Sequence, residues 1–512
     1  MHKLPIYLKK RFLFSIIFSI LFVSCTEDFE QINTNPSLVT KDVVNVNNLL
    51  ARVQKESIFD CYEYGYITEF SGYHSNPATV PLSNRDWSEP FNEFYKTFII
   101  NTSEIIRLTK DKPALSNKNA IGRIMKVWLF HQLTDMYGDL PYSEAALDVN
   151  EVVNYPKYDK QEDIYKDMLK ELKEASAQLS NDASQVSYGA SDLMYRGDVE
   201  SWRRFANSLR LRLAIRTRFA NPALANEHIT DVIAKPLITL NTQNAALTTE
   251  GATASNIDNR NPAYNRYQGN TVPLYTTYTV TDNLLSRNDP RLPIFVVPAT
   301  VPDSGALWRG RLFAMDADLD GAGIGFRQEQ VASMGTLFFA AQYQIKLLTA
   351  PEVSFLRAEA ALAGITNESA EDMWKNGIKL SMEMYGVTAD QINPYLLAQG
   401  ALFTAGSDEK KLEEIITQKW LANYFQSKES WAEYRRTGYP LIWVGQQKGD
   451  TGRKIPRRLT YPTGEYLRND MSAEEAAGRL SGGDTFMSRV WWDARAGLPF
   501  DHPLQGTFPY KR

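Results

Sequence analysis

Apolar residues recur at three- and four-residue spacing through most of the first two hundred positions, which predicts helices near 42–60, 88–110, 118–136, 160–180 and 198–219. Turns such as Asp111-Lys112-Pro113 and Tyr137-Gly138-Asp139, and a longer link around Pro156, separate them. Trp202, Phe205, Leu209 and Leu213 fall on one face of the last of these helices and read as core, leaving Arg203, Arg210 and Arg212 to pair with carboxylates. Paired helices joined by short turns hide their apolar faces by stacking, so a helical-repeat layer is expected from 41 to 220. Between 221 and 334 the period disappears; Asn, Thr, Gly and Pro dominate, which predicts a loop-rich insert with a few short strands or helices. Helical spacing returns over 335–388 and 408–427, and the Arg-, Gly-, Pro- and Trp-rich tail after Tyr434 reads as an irregular wrap. The fold class expected is mainly α.

The N-terminus follows another pattern. Lys3, Lys9, Lys10 and Arg11 precede an apolar stretch from Phe12 to Val23, of signal-peptide length and short for a lone membrane helix; an uncleaved anchor is the alternative. The run Leu21-Phe22-Val23-Ser24-Cys25 resembles a bacterial lipobox, which implies cleavage after residue 24 and acylation of Cys25. Several acyl chains on one residue bury enough CH₂ groups for durable anchoring. The expected organisation is a signal peptide over 1–24, a lipidated leader over 25–40 and one composite domain over 41–512, helical and irregular again from 335 onward.

With 512 residues, 43% of them hydrophobic and 23% charged, the chain is long and apolar enough for a large core. A net charge of -4 gives no support to nucleic-acid binding. Cys25 and Cys61 are the only cysteines, which excludes a cysteine-only metal site, and Cys61 reads as a small buried hydrophobe.

The chain resembles the SusD/RagB family of nutrient-binding outer-membrane lipoproteins, in its second SusD-like branch. The resemblance is carried by Asn33-Thr34-Asn35-Pro36, by the run from Trp128 to Ala145, and by Tyr195-Arg196-Gly197-Asp198 with Trp202 to Arg212. Pro351 to Ala360, the stretch from Gln418-Lys419-Trp420 to Glu433–Pro440, and Ile455 to Leu459 add to it. It implies an all-helical core of tetratricopeptide-like pairs and a partnership with a SusC-like TonB-dependent barrel, to which an oligosaccharide or oligopeptide is handed. The acidic residues behind Cys25 resemble the export signal of Bacteroidota lipoproteins, implying an anchor facing the extracellular side of the outer membrane.

No nucleophile elbow, His-Glu-x-x-His or Walker loop is present. His131 reads as a core or interface residue. A helical glycoside hydrolase and a helical adaptor or adhesin stand as the competing classes. Asp316, Asp318 and Asp320, followed by Gly321, reproduce the first half of a calcium loop, but Arg327 stands where the bidentate glutamate belongs; a calcium site and a solvated acidic loop both remain open. No cofactor is required. Ten Trp, 26 Tyr and 24 Phe are a generous aromatic supply, and several lie among polar loop residues. Tyr73, Trp87, Tyr264, Tyr267, Tyr275, Tyr278 and Trp308, with Asn76, Asn84, Asn265, Arg266 and Arg309, are the candidate ligand contacts, because aromatic faces beside amide and guanidinium donors hold sugar rings or peptide side chains.

Overall fold

In the computed structural model the described residues are 44–62, 66–76, 82–145, 153–268, 274–301, 307–314, 328–445 and 448–503, and Asn47–Arg512 pack as one unit. The first half runs α1 (Val46–Cys61), α2 (Tyr66–Phe70), β1 (His74–Ser75) and α3 (Ser88–Glu93), which continues through π turns at Phe94–Ile99 into α4 (Ile100–Thr109). There follow α5 (Ser116–Tyr137), β2 (Leu140–Pro141), β3 (Tyr158–Asp159), α6 (Gln161–Gln178), α7 (Val199–Arg216) and α8 (Pro222–Val232). Local chemistry sets these ends. The Asp198 carboxylate accepts from the Ser201 amide at 2.8 Å and starts α7, while Asn221 accepts from the Leu224 amide at 3.1 Å with Pro222 as first helical residue of α8. Gly138, at φ 91°, ends α5 with a backbone twist that a side chain would resist. Neighbours in sequence then stack: α4 on α5, α5 on α6, α6 on α7 and α7 on α8.

The middle of the chain holds β4 (Ala245–Thr248), α9 (Pro262–Gln268), β5 (Tyr275–Thr276), α10 (Tyr278–Ser286), α11 (Leu292–Phe295), β6 (Val296–Val297), β7 (Ser333–Met334) and β8 (Gln344–Leu348). Short strands from distant segments form an antiparallel sheet in the order β1-β5-β7-β6, and β4 pairs with β8. The stretch 335–348, expected as helix, is instead a 3₁₀ turn at Thr336–Phe339 followed by a strand. Ile345 and Leu347 are buried while Gln344 is exposed and Lys346 half-buried, so two-residue alternation governs it. In the loop-rich insert, α8 to α11 with β4 to β6 are the short helices and strands expected there.

The last part comprises α12 (Ala350–Leu362), α13 (Ala370–Met384), α14 (Ala389–Ala405), α15 (Asp408–Ala422), α16 (Ser427–Thr437), α17 (Thr463–Arg468) and α18 (Asp470–Arg479). Phe355, Trp374, Ile378, Phe403 and Ile415 share a core, with the Trp374 and Phe403 rings stacked at 4.4 Å. The helix expected over 408–427 is α15, which ends at Ala422 because the chain turns at Asn423–Gln426 with Phe425 at φ 75°, and α16 starts separately at Ser427. The tail is only partly irregular, since α17 and α18 lie within it. The fold is mainly α, built from stacked helical pairs.

Charged side chains tie the two helical blocks together inside the protein. Arg216 of α7 reaches Asp135 of α5 at 3.0 Å and Glu429 of α16 at 2.6 Å. Arg436 grips Glu359 with two contacts of 2.7 Å, and Lys419 lies 3.2 Å from both Glu429 and Glu433. Burial of such charges costs several kcal/mol per ion unless each is paired, so the network fixes which helices meet. Burial alone would raise the Glu429 carboxyl, but Arg216, Arg212 and Lys419 outweigh it and hold the group well below the usual carboxylate range.

Candidate ligand-binding face

The four-stranded sheet gathers several of the aromatic positions singled out from sequence. The Thr277 amide donates to the Tyr73 carbonyl at 3.1 Å, the Arg311 amide to the Thr276 carbonyl at 2.8 Å, and the Tyr278 amide to the Arg311 carbonyl at 2.8 Å. The Ala332 amide donates to the Arg309 carbonyl at 2.7 Å. Residues 73, 275–278 and 308–311 therefore share one backbone scaffold. Gly310 makes this approach possible: a Cβ there would stand 2.3 Å from the Thr277 carbonyl oxygen.

Convergence of backbone does not bring every side chain to the surface. Tyr73 is a core residue. It is fully buried, its hydroxyl donates to the Trp420 carbonyl at 2.6 Å and lies 2.6 Å from Ser430 Oγ, and its ring stacks on Trp420 at 4.8 Å. Burial raises that phenol well above its ordinary value. Trp87 is also buried, against Phe486 at 5.8 Å and under the Arg85 guanidinium at 4.3 Å, and its carbonyl accepts from the Tyr137 hydroxyl at 2.6 Å. Tyr275, on the central strand β5, is buried, and Arg309 is buried too. All four are buried in this structure, Tyr275 within β5, Tyr73 just before β1 and Trp87 at the start of α3, so packing accounts for where their side chains lie.

Half-buried Tyr278 and Trp308 are the aromatics that this scaffold leaves partly open. The Tyr278 ring meets Trp443 edge-on at 4.8 Å, and Trp443 stacks on His502 at 4.7 Å with 14° between planes. Burial, then Asp282 with a contact of 3.4 Å, pushes the Tyr278 phenol up to about 12, so it stays a neutral donor. Sequence reasoning missed Trp443; the apolar run Leu441–Val444 beyond Pro440 was the available signal.

Tyr264 and Asn265 have a different support. Asn261 donates to the Phe338 and Ala340 carbonyls at 2.9 Å and accepts from the Ala263 amide at 3.0 Å, which seats the start of α9. Tyr264 is half-buried, and exposed Asn265 donates to the Ile257 carbonyl at 2.8 Å. Asn84 is exposed and its amide donates to Asp450 at 2.7 Å, while the Asn76 amide donates to Glu69 at 3.4 Å. The side chains of Arg266 and Tyr267, and all of Cys25, Asp316, Asp318 and Asp320, lie outside the described residues. Among the described residues no cluster of His, Cys, Asp and Glu could hold a metal ion, and no helix is long and apolar enough to cross a membrane.

A family model described as "Starch-binding associating with outer membrane", the second SusD-like family, matches residues 27–462. The chain belongs to that family. Solved structures agree with it: a chitin-binding protein is 28% identical with a TM-score of 0.78, covering 88% of this chain and 100% of its own. A chitin-binding SusD homolog from Flavobacterium johnsoniae is 26% identical at TM-score 0.72, over 88% of this chain and 97% of its own. A SusD homolog from Bacteroides uniformis is 26% identical at TM-score 0.73, over 88% and 98%. No curated protein matches. As a SusD-like protein the chain is an outer-membrane nutrient-binding protein that performs no catalysis, which sets aside the helical hydrolase.

Proposed function

We propose that this SusD-like protein captures an oligosaccharide at the cell surface and hands it to a TonB-dependent barrel. Acylated Cys25 anchors it to the outer membrane on the extracellular side, and the stacked helical pairs are tetratricopeptide-like. The observation that carries the reading is the half-buried pair Tyr278 and Trp308 on one backbone scaffold. An aromatic face partly open to solvent packs on the apolar side of a sugar ring, while nearby amides and a neutral phenol fix its hydroxyls. Two relatives described as chitin-binding favour a glycan over a peptide. The anchor keeps the binder beside its transporter and raises the effective concentration there.

The deciding experiment is affinity purification of the tagged, lipidated protein from native outer membranes, with mass spectrometry of co-purifying chains and retained small molecules. A stoichiometric barrel with a bound glycan is the expected result. A retained peptide would change the substrate class, and recovery of the protein alone in detergents that keep comparable complexes together would overturn the transport role.

A further inference from the structure

Away from the sheet, α1, α5, β8 and the start of α16 enclose a cavity of about 570 Å³, counting its open mouth. Its walls are largely apolar, with Tyr62, Trp128, Leu347 and Phe425 among them, and none of its lining residues belongs to the Tyr278 and Trp308 face. Polar groups are also present, and most have partners within the protein. Gln132 donates to the Trp128 carbonyl at 3.0 Å and accepts from Cys61 Sγ at 2.8 Å. Arg212 is held by Glu352 and the Leu347 carbonyl, and Glu429 by Arg216 and Lys419.

Two polar atoms on this lining lack a well-formed one. His131 Nδ1 and Ser427 Oγ are buried without a hydrogen bond of good geometry, the imidazole having only a weak contact with the Trp128 carbonyl, on residues only 2% and 4% exposed. Buried polar atoms are nearly always satisfied, so two such atoms on the wall of one cavity mark where a bound molecule's polar group belongs. Burial, reinforced by Arg212, pushes the His131 imidazole down to about 3 against the opposing pull of Glu429, so the ring is neutral there. A hydroxyl both donates and accepts, so one such group can satisfy a neutral imidazole nitrogen and a serine hydroxyl. The aromatic walls suit an apolar body behind it.

We propose that this cavity binds a small neutral amphiphile, an apolar ring or short branched chain with one hydroxyl, whose polar end meets His131 and Ser427 and whose body lies among Tyr62, Trp128 and Phe425. This site is separate from the glycan face, so its failure would leave the capture role standing, and the converse holds.

Phenol is the probe. Titrated into the full mature protein by calorimetry and followed by saturation-transfer NMR, it is expected to bind saturably at one site. Ser427→Ala and His131→Leu are expected to weaken it three- to tenfold each, with melting temperature recorded as the control for folding. Crystals soaked in phenol provide a readout free of mutation: ring density between Trp128 and Phe425 with oxygen on His131 and Ser427 supports the site. Ordered water alone in the soaked cavity, non-saturable binding, or equal affinity in well-folded variants would overturn it.

Discussion

Arg212 and Glu352 face each other as a two-point pair, Nε to Oε1 and Nη2 to Oε2 both at 2.7 Å, with side chains 2% and 0% exposed. The pair joins α7 to α12, two helices on opposite sides of the long middle segment in sequence. Removing one partner leaves the other only a longer contact in the interior, Arg212 to Glu429 at 3.6 Å or Glu352 to Lys419 at 3.7 Å, at a cost of up to about 3–5 kcal/mol. Arg212→Met and Glu352→Leu are each expected to lower the urea midpoint by that measure, and the double variant to recover part of the loss. A double-mutant cycle in urea checks this, and strict additivity of the two singles would refute a direct pair.

Acid is expected to unfold the protein through the same region. The native Glu429 carboxyl is held well below its ordinary value of 4.5 once its cations outweigh burial, so its stabilisation is complete above pH 4.5 and is lost as pH falls through the lower native value. His131 adds a second window with the same direction. Burial and Arg212 hold it at about 3 against an ordinary 6.5, so between those values the unfolded imidazole takes a proton that the folded one refuses. Stability therefore falls as pH drops from 6.5 toward 3, by at most about 1.4 kcal/mol per pH unit from this group. Urea titrations at pH 7, 6, 5 and 4 measure the slope, and His131→Asn should flatten it between pH 6.5 and 4.5.

Amphipathic helices were legible because their stripes and caps coincide, as at Trp202, Phe205 and Leu209 behind the Asp198 cap. The strand Gln344–Leu348 was not, because five residues of alternation are masked by the apolar run around Phe338 and Phe339, which itself forms a 3₁₀ turn. The helix Ala389–Ala405 was missed since Pro394 stands inside it and its apolar residues do not keep to one face: Leu397 and Leu402 are exposed while Ile392 and Phe403 are buried. At the ligand face, composition pointed to aromatic residues in polar loops. It could not separate Tyr73 from Tyr278, because which one faces inward depends on pairing between segments some 200 residues apart, as in the bond from the Thr277 amide to the Tyr73 carbonyl.

That pairing can be perturbed at one atom. Gly310→Ala would place a Cβ 2.3 Å from the Thr277 carbonyl oxygen, and backbone on both sides leaves little room to yield. The segment carrying Trp308 should shift, with a loss of about 2 kcal/mol or more in stability and weakened glycan binding. Thermal melting and calorimetry on the same sample check both effects. A variant with unchanged melting and unchanged affinity would show that this close approach does not hold the face in place.

Surface and core aromatics should respond oppositely to truncation. Trp308→Ala and Tyr278→Ala remove half-buried rings, so each is expected to lower affinity for the glycan retained on purification about three- to tenfold, the weight of one aromatic contact, with little change in melting temperature. Tyr73→Phe keeps the ring stacked on Trp420 but deletes the hydroxyl that meets the Trp420 carbonyl and Ser430 Oγ. It is expected to cost about 1–2 kcal/mol of stability and to leave affinity unchanged. Calorimetric titration of the three folded variants separates the two outcomes. Affinity that falls with Tyr73→Phe and holds with Trp308→Ala and Tyr278→Ala would move the glycan site off this face, since only a ligand seated elsewhere could ignore the two open rings and sense the buried one.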